Sequence, residues 1–401
     1  MNTRAPSAPQ DPPAHPGLVG GPVYLDYNGT TPVDPRVVEA MLPHLGEQFG
    51  NPSSGHHYAV GPRAALDRAR SDVADLVGAR PHEIVFTGSG SEADLLALRG
   101  AVLASGRPRP HVITQATEHP AVLGTCDALA RLYGARVTVL PVGAEGLVDP
   151  AALAAALDED TVLVSVMAAN NETGALQPVR TLAALAHARG ALFHCDAAQA
   201  LGRIPVDVRA WGVDLLTVVG HKMYAPKGVG ALYVREGVRL EPVVYGGGQE
   251  DGLRAGTENT ALAVALGRAA RLAEAELADG GPERLRALRD RLHGGLARAL
   301  PGRVRLNGPE ANRLPNTVNV SVDGARGHEL LDAAPGIAAS TGSACHSGSH
   351  TPSPVLSAMG MDTDRALGAL RLTLGRWTTE AEVDTAVSDL AAAVAATADE
   401  R

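Results

Sequence analysis

Between residues 83 and 235 the chain alternates short β-branched runs with longer Ala/Leu-rich stretches. The runs are EIVFT (83–87), HVITQ (111–115), RVTVLPV (136–142), TVLVSVM (161–167), ALFHCDA (191–197), DLLTVV (214–219) and GALYV (230–234). Most are apolar throughout, so the strands they form need cover on both faces. The stretches between them, such as 121–133 and 179–189, carry helical periodicity. Strands that recur about every 25 residues through helices build βαβ units. The expected fold is therefore α/β, a large domain with a mostly parallel seven-stranded sheet flanked by helices. Such sheets bind ligands beyond the C-terminal ends of their strands.

A glycine-rich bend, YGGGQEDGLRAGT (245–257), ends this pattern. Long helices are expected at about 259–278 and 282–300. They are followed by strands near 304–307 and 317–322, a Gly/Ser-rich loop at 340–350, and a last helix from near Thr378. The residues TTE (378–380) supply the N-cap and an acid in the first turn of that helix. This describes a smaller α+β domain. The organisation expected is a Pro-rich disordered tail (1–22), a large domain (23–258) and a small domain (259–401), with the first dozen residues of the large domain packed against the small one. Aromatic residues make up only 3% of the chain, so Ala, Val and Leu must fill the core. A net charge of −9 without a basic stripe argues against nucleic acid as a partner. No apolar run reaches the roughly 18 residues of a membrane span, and the N-terminus lacks a signal-peptide core. The cysteines, Cys126, Cys195 and Cys345, are odd in number and far apart, which points to a reducing, cytoplasmic setting.

Basic charge is supplied almost entirely by arginine. The only two lysines, Lys222 and Lys227, both lie in VVGHKMYAPKG (218–228). A buried lysine can lose its proton and form a Schiff base, which a guanidinium cannot do. Lys222 directly follows a strand, whereas Lys227 lies between Pro226 and Gly228 and reads as a solvated turn residue. Other strand ends also carry polar groups. In FTGSGSEADLLALRG a Gly/Ser turn opens a helix, an arrangement that suits an anion. The G-x-G-x-x-A spacing at 88–93 alone fits a dinucleotide loop or a plain tight turn. His119 follows one strand, Asn170, Asn171 and Glu172 follow another, and Asp196 and Gln199 lie at a third. Three polar groups directly after so apolar a run as TVLVSVM are expected to face a ligand. A phosphate cradle, a strand-end acid and a near-unique lysine fit pyridoxal 5'-phosphate better than a dinucleotide.

Along the chain the motifs YLDYNGTTPVDP, FGNPSSGHHYA, VFTGSGSEADLLALRG, TEHPAVL, NNETG, DAAQALG, GHKMYAPKGVGALYVR, GGGQEDGLRAGTENT, LPNTVNVS, STGSACHS and ALRLTLGRWTTEAEVD occur in order. This set resembles the class V aminotransferase-like pyridoxal-phosphate enzymes, and within them the cysteine desulfurases and selenocysteine lyases. The resemblance implies pyridoxal-phosphate fold type I. It makes Lys222 the cofactor lysine and places His119 on the ring. Asp196 would pair with the ring nitrogen, and Gln199 and Asn171 would lie near the ring hydroxyl. Gly90, Ser91 and His221 would hold the phosphate. Thr257 would reach the phosphate of a neighbouring subunit, implying a homodimer. Arg371 and Asn171 would bind the substrate, with the Arg371 fork on its carboxylate. Two positions depart from the desulfurase pattern. Val219 stands where serine is common and Leu95 where asparagine is, and the Val219 form is closer to selenocysteine lyases.

Cys126 falls in a helical stretch and Cys195 in a strand, so both read as core. Cys345, in ASTGSACHSGSHT, is the family's sulfur acceptor by resemblance. The reaction implied removes sulfur from L-cysteine, giving L-alanine and a persulfide on Cys345 for a sulfur-acceptor protein, with iron–sulfur cluster assembly as one use. A lyase releasing selenium from L-selenocysteine is the alternative. A silent scaffold that binds a sulfur-transfer partner is a more distant one. His346 and His350 beside Cys345 form no convincing metal-ligand pattern, and no metal is expected.

Overall fold

The computed structural model describes residues 14–342, 345–346 and 349–399. Seven strands form the main sheet: β1 (Ile84–Thr87), β2 (His111–Gln115), β3 (Arg136–Leu140), β4 (Thr161–Ser165), β5 (Leu192–Asp196), β6 (Leu215–Val219) and β7 (Gly230–Val234). Their spatial order is β1-β7-β6-β5-β4-β2-β3. Only β7 runs against the others, lying antiparallel between β1 and β6. The parallel strands therefore end on one edge of the sheet.

Successive strand residues point to opposite faces, as the pleat requires. Val112, Leu163, Leu215 and Leu232 enter one hydrophobic core, while Ile113, Val164, Leu216 and Tyr233 enter another. The helices Gly90–Ala104 and Pro120–Tyr133 cover the first face through Leu96, Ala97, Val122 and Leu129. The helices His57–Val77, Val179–His187 and Thr260–Ala278 cover the second through Val73, Leu182 and Leu266. This double cover explains why the strand sequences are apolar throughout rather than alternating. The edge strand β3 is more open to solvent, with Val139 half exposed.

A separate core gathers around the antiparallel strands β8 (Val304–Leu306), β9 (Thr317–Val322) and β10 (Ala369–Thr373), in the order β10-β9-β8. Leu292 of helix Gly281–Ala299 and Leu390 of helix Glu380–Asp399 close it. The latter helix is capped reciprocally. Thr379 Oγ1 accepts from the Glu382 N–H at 3.2 Å, and a Glu382 carboxylate oxygen accepts from the Thr379 N–H at 2.8 Å.

Two features differ from the expected organisation. Helix Thr260–Ala278, assigned from sequence to the small domain, belongs to the main core. Its small residues let it approach His57–Val77 closely, and a Cβ on Gly267 would lie 2.6 Å from Ala69 Cα. Residues 14–22, expected as part of the disordered tail, turn back onto the body. There the His15 ring lies 4.6 Å from Trp377, and His15 Nε2 is 2.9 Å from the Val33 carbonyl. Val23–Tyr24 then pairs with Ile337–Ala338, and Leu25 enters the second core. No helix among the described residues is long and apolar enough to cross a membrane.

Candidate functional site

A cavity of about 440 Å³ opens at the C-terminal edge of the main sheet. Its wall includes Gly90, Ser91, His119, Asn171, Asp196, Gln199, Val219, His221, Lys222 and Arg371. Ten positions singled out from sequence, distant along the chain, thus converge on one space. Thr257 does not line it and is exposed on the surface. The Cys345 side chain lies outside the described residues, as do those of His346 and His350. Cys126 and Cys195 are both buried, as expected of core residues. Lys227 is exposed.

Lys222 ends a 3-10 turn (Gly220–Lys222) that follows β6. Gly220 is required there, since a Cβ would come within 2.8 Å of the Val229 carbonyl oxygen. Lys222 Nζ donates to the carbonyls of Asn28 and Gly29, each at 2.6 Å. Burial, reinforced by the nearby Arg203 and Arg371 charges, lowers its pKa to about 8. Arginine could not respond in this way, because its guanidinium stays charged.

Asp196 is the last residue of β5, and its Oδ1 accepts from the Ala198 N–H at 2.8 Å. Burial raises its pKa, against the opposing influence of that hydrogen bond, His119 and Lys222. A cation at the cavity would favour its charged form. His119 caps helix Pro120–Tyr133, with Nδ1 accepting from the Ala121 N–H at 3.1 Å, and burial lowers its pKa. Gln199 donates to the Asn28 carbonyl at 3.0 Å, while its buried Oε1 has no partner among the described residues.

The Gly/Ser turn opens helix Gly90–Ala104, with Ser89 Oγ accepting from the Glu92 N–H at 3.1 Å. A Cβ on Gly90 would lie 2.4 Å from Val219 Cγ2, so glycine lets this helix end meet β6 without displacing the Val219 side chain. The free N–H groups of the first turn and the helix dipole favour an anion there. His221 stands beside them, its Nδ1 3.0 Å from Thr30 Oγ1, and burial lowers its pKa to about 4. Across the cavity, Arg371 Nη2 pairs with Asp26 Oδ1 at 2.6 Å, leaving the buried Nε without a partner among the described residues.

Of the three polar residues expected to face a ligand after β4, only Asn171 does. Asn170 Oδ1 accepts from the Glu172 and Thr173 N–H groups, both at 2.9 Å, so it builds the turn. Glu172 points away from the cavity, toward Ser353. Several residues absent from the sequence expectations sit beside the site. Asp94 and Glu118 are buried near Asp196, and burial is the main cause that raises both, Glu118 to about 8. Asp94 was signalled by its acid within the otherwise apolar helix ADLLAL, and Glu118 by its place in TEHP. No group of three or more His, Cys, Asp or Glu side chains suited to a metal ion occurs among the described residues.

The sequence profile of the family described as Aminotransferase class-V matches residues 23–386. The cysteine desulfurase IscS of Dictyoglomus turgidum is 46% identical over 365 residues, covering 90% of this chain and 92% of that one. A solved NifS-like protein superposes with a TM-score of 0.86 at 36% identity, over 93% of this chain and 99% of that one. A structure described as SspA in complex with cysteine superposes with a TM-score of 0.78 at 35% identity, over 89% and 99% of the two chains.

Proposed function

For a chain that belongs to the class-V aminotransferase family, with fold type I and the activity of a cysteine desulfurase, we propose a residue-by-residue assignment of the site. The family is pyridoxal-phosphate-dependent, and the residues at the cavity fit that cofactor. The observation that carries the assignment is the convergence of Lys222, Asp196, His119, Gln199 and the Gly90 helix end on one cavity. A helix N-terminus opened by Gly/Ser residues, with its first-turn N–H groups at the cavity, suits the phosphate. A buried acid suits the ring nitrogen, and an unpartnered amide oxygen suits the ring hydroxyl. Lys222 would hold the aldehyde carbon, with His119 over the ring and Asn171 near its hydroxyl. His221 and Ser91 would complete the phosphate site.

When bound, the cofactor supplies an electron sink for the charge left at the substrate's α-carbon. Lys222, with its pKa lowered to about 8, can hold a free amine near neutral pH and take the α-proton. Arg371, aimed by Asp26, receives the substrate carboxylate. The thiolate of Cys345 attacks the substrate sulfur. The new S–S bond forms as the C–S bond breaks, and its electron pair passes to carbon, which is released as alanine. The persulfide left on Cys345 is the form passed to a sulfur-acceptor protein.

Thr257 would complete the phosphate site of a second copy. Its exposure and its absence from its own chain's cavity support that reading. So do the exposed Leu45, Phe49, Tyr58 and Val60, apolar surface of the kind a homodimer covers. Val219, lining the cavity where desulfurases commonly carry serine, keeps L-selenocysteine in view as a second substrate. The test is alanine release from L-cysteine and from L-selenocysteine under equal conditions, in the wild type and Cys345→Ala. Sulfur transfer from cysteine is expected to vanish in the variant. Turnover of cysteine at the normal rate would remove Cys345 from the mechanism.

A further inference from the structure

Glu92 is the acid in the first turn of helix Gly90–Ala104, the helix whose N-terminus faces the cavity. An acid at that position favours the helix through its dipole, but it competes with a phosphate for the same partial positive charge. Its contacts show what the chain gains from it. Glu92 Oε2 accepts from the Gly88 N–H at 2.8 Å, and Ser89 Oγ accepts from the Glu92 N–H at 3.1 Å. Together these bonds close the turn between β1 and the helix. They leave the N–H groups of Gly90 and Ser91, which stand in the cavity wall, for an anion.

The charge of this acid is met from outside the helix. Arg254 Nε donates to Glu92 Oε1 at 2.8 Å, and Arg254 Nη2 lies 3.5 Å from Oε2. The Arg254 and Glu92 side chains are 27% and 21% exposed, so solvent screens the pair only in part. A Cβ on Gly88 would lie 2.8 Å from Glu92 Oε2 and 3.6 Å from Arg254 Nη2. Carboxylate and guanidinium therefore both rest on the backbone of the turn itself. Arg254 is in turn held by the glycine-rich bend, where the Ala255 N–H donates to the Val244 carbonyl at 3.2 Å and the Gly256 N–H to Gln249 Oε1 at 3.1 Å.

We propose that Glu92 is a positioning residue that shapes the turn for the cofactor phosphate, and that Arg254 is the counter-charge that lets a carboxylate do so beside an anion. Neither side chain lines the cavity, so both act through the turn and through charge. The inference rests on this cavity being the cofactor site. The buried Gln199 in its wall, with an Oε1 that has no partner among the described residues, supports that reading separately.

The test compares pyridoxal 5'-phosphate with pyridoxal, which has the same ring and aldehyde but no phosphate. Dissociation constants for both are measured by absorbance titration of the full-length chain stripped of cofactor. Arg254→Gln leaves the Glu92 charge beside the phosphate, so affinity for pyridoxal 5'-phosphate should fall about tenfold while that for pyridoxal stays within about twofold. The double variant Glu92→Gln with Arg254→Gln, which carries neither charge, should return to within about threefold of the wild type. Glu92→Gln alone can still accept from the Gly88 N–H and should stay within about the same threefold. Glu92→Ala cannot, and should lose about tenfold for the phosphate ester only. Equal losses for both ligands in Arg254→Gln would reduce the pair to a structural role and overturn the proposal. A double variant as weak as Arg254→Gln would also overturn it, by excluding charge as the cause. So would Glu92→Ala that binds like Glu92→Gln, a comparison that stands even where Arg254→Gln fails to fold. A wild-type chain that binds the two ligands equally would remove the phosphate site itself, and with it the reading of the cavity.

Discussion

Ser353 Oγ donates to Glu172 Oε2 across 2.6 Å, and a Cβ placed on Gly342 would lie 2.4 Å from that same oxygen. The two ends of the segment that carries Cys345 therefore rest against one buried carboxylate. Burial raises the pKa of Glu172 to about 7, opposed by the Ser353 hydrogen bond and the charge of Arg371.

That shift has a definite sign. A carboxyl whose folded pKa lies above its unfolded value binds its proton more tightly in the native state. Its contribution to stability is complete below about 4.5 and is lost as pH rises through about 7. Glu172→Gln should flatten this part of the pH dependence, so its melting temperature should change less than the wild type's between pH 5 and 8. Circular dichroism melts across that range check it, and an unchanged slope would show that Glu172 does not titrate there.

Gly90 and Val219 form a second testable pair. Gly90→Ala should cost about 1–3 kcal/mol through overpacking against Val219. Val219→Ala should recover much of that loss, with a coupling above about 0.5 kcal/mol in a double-mutant cycle. Chemical denaturation of the four proteins measures it, and additive effects would mean that the helix end relaxes elsewhere.

Arg371→Lys keeps the charge but loses the fork. A hydrogen bond to a charged group contributes about 1.5–3 kcal/mol, so KM for L-cysteine should rise roughly 10- to 100-fold. Steady-state kinetics decides it, and an unchanged KM would place the substrate carboxylate elsewhere.

Lys222→Ala and Lys222→Arg should both lose the protein-bound visible absorbance of the cofactor after desalting, since neither side chain can hold an aldehyde. A small primary amine added to Lys222→Ala should restore some turnover. Retained absorbance in both variants would assign the attachment to another group.

Much of the fold could be read along the chain because its signals are local. All seven strands of the main sheet lie where β-branched apolar runs occur, and strand β9 occupies the segment expected at 317–322. That helix Thr260–Ala278 packs in the main core is not legible in residue order, because an apolar, Ala-rich face shows that a helix is buried but not which core buries it. The same limit applies to NNETG. Its three polar residues follow a buried strand, but the backbone turn sends only Asn171 to the cavity and spends Asn170 on closing the turn.

Residue chemistry by itself determined which groups could act. Only Lys222 among the strand-end residues can serve as a neutral amine, and glycine at 90 lets the helix end meet β6 beside Val219. Tertiary structure alone decided the electrostatics. Arg203 lies 19 residues from Lys222 in sequence and looks there like any other arginine. Folding buries it and brings both side chains to the Tyr27–Gly29 carbonyls. Charge interactions depend on distance and on the removal of water, and neither is a property of residue order.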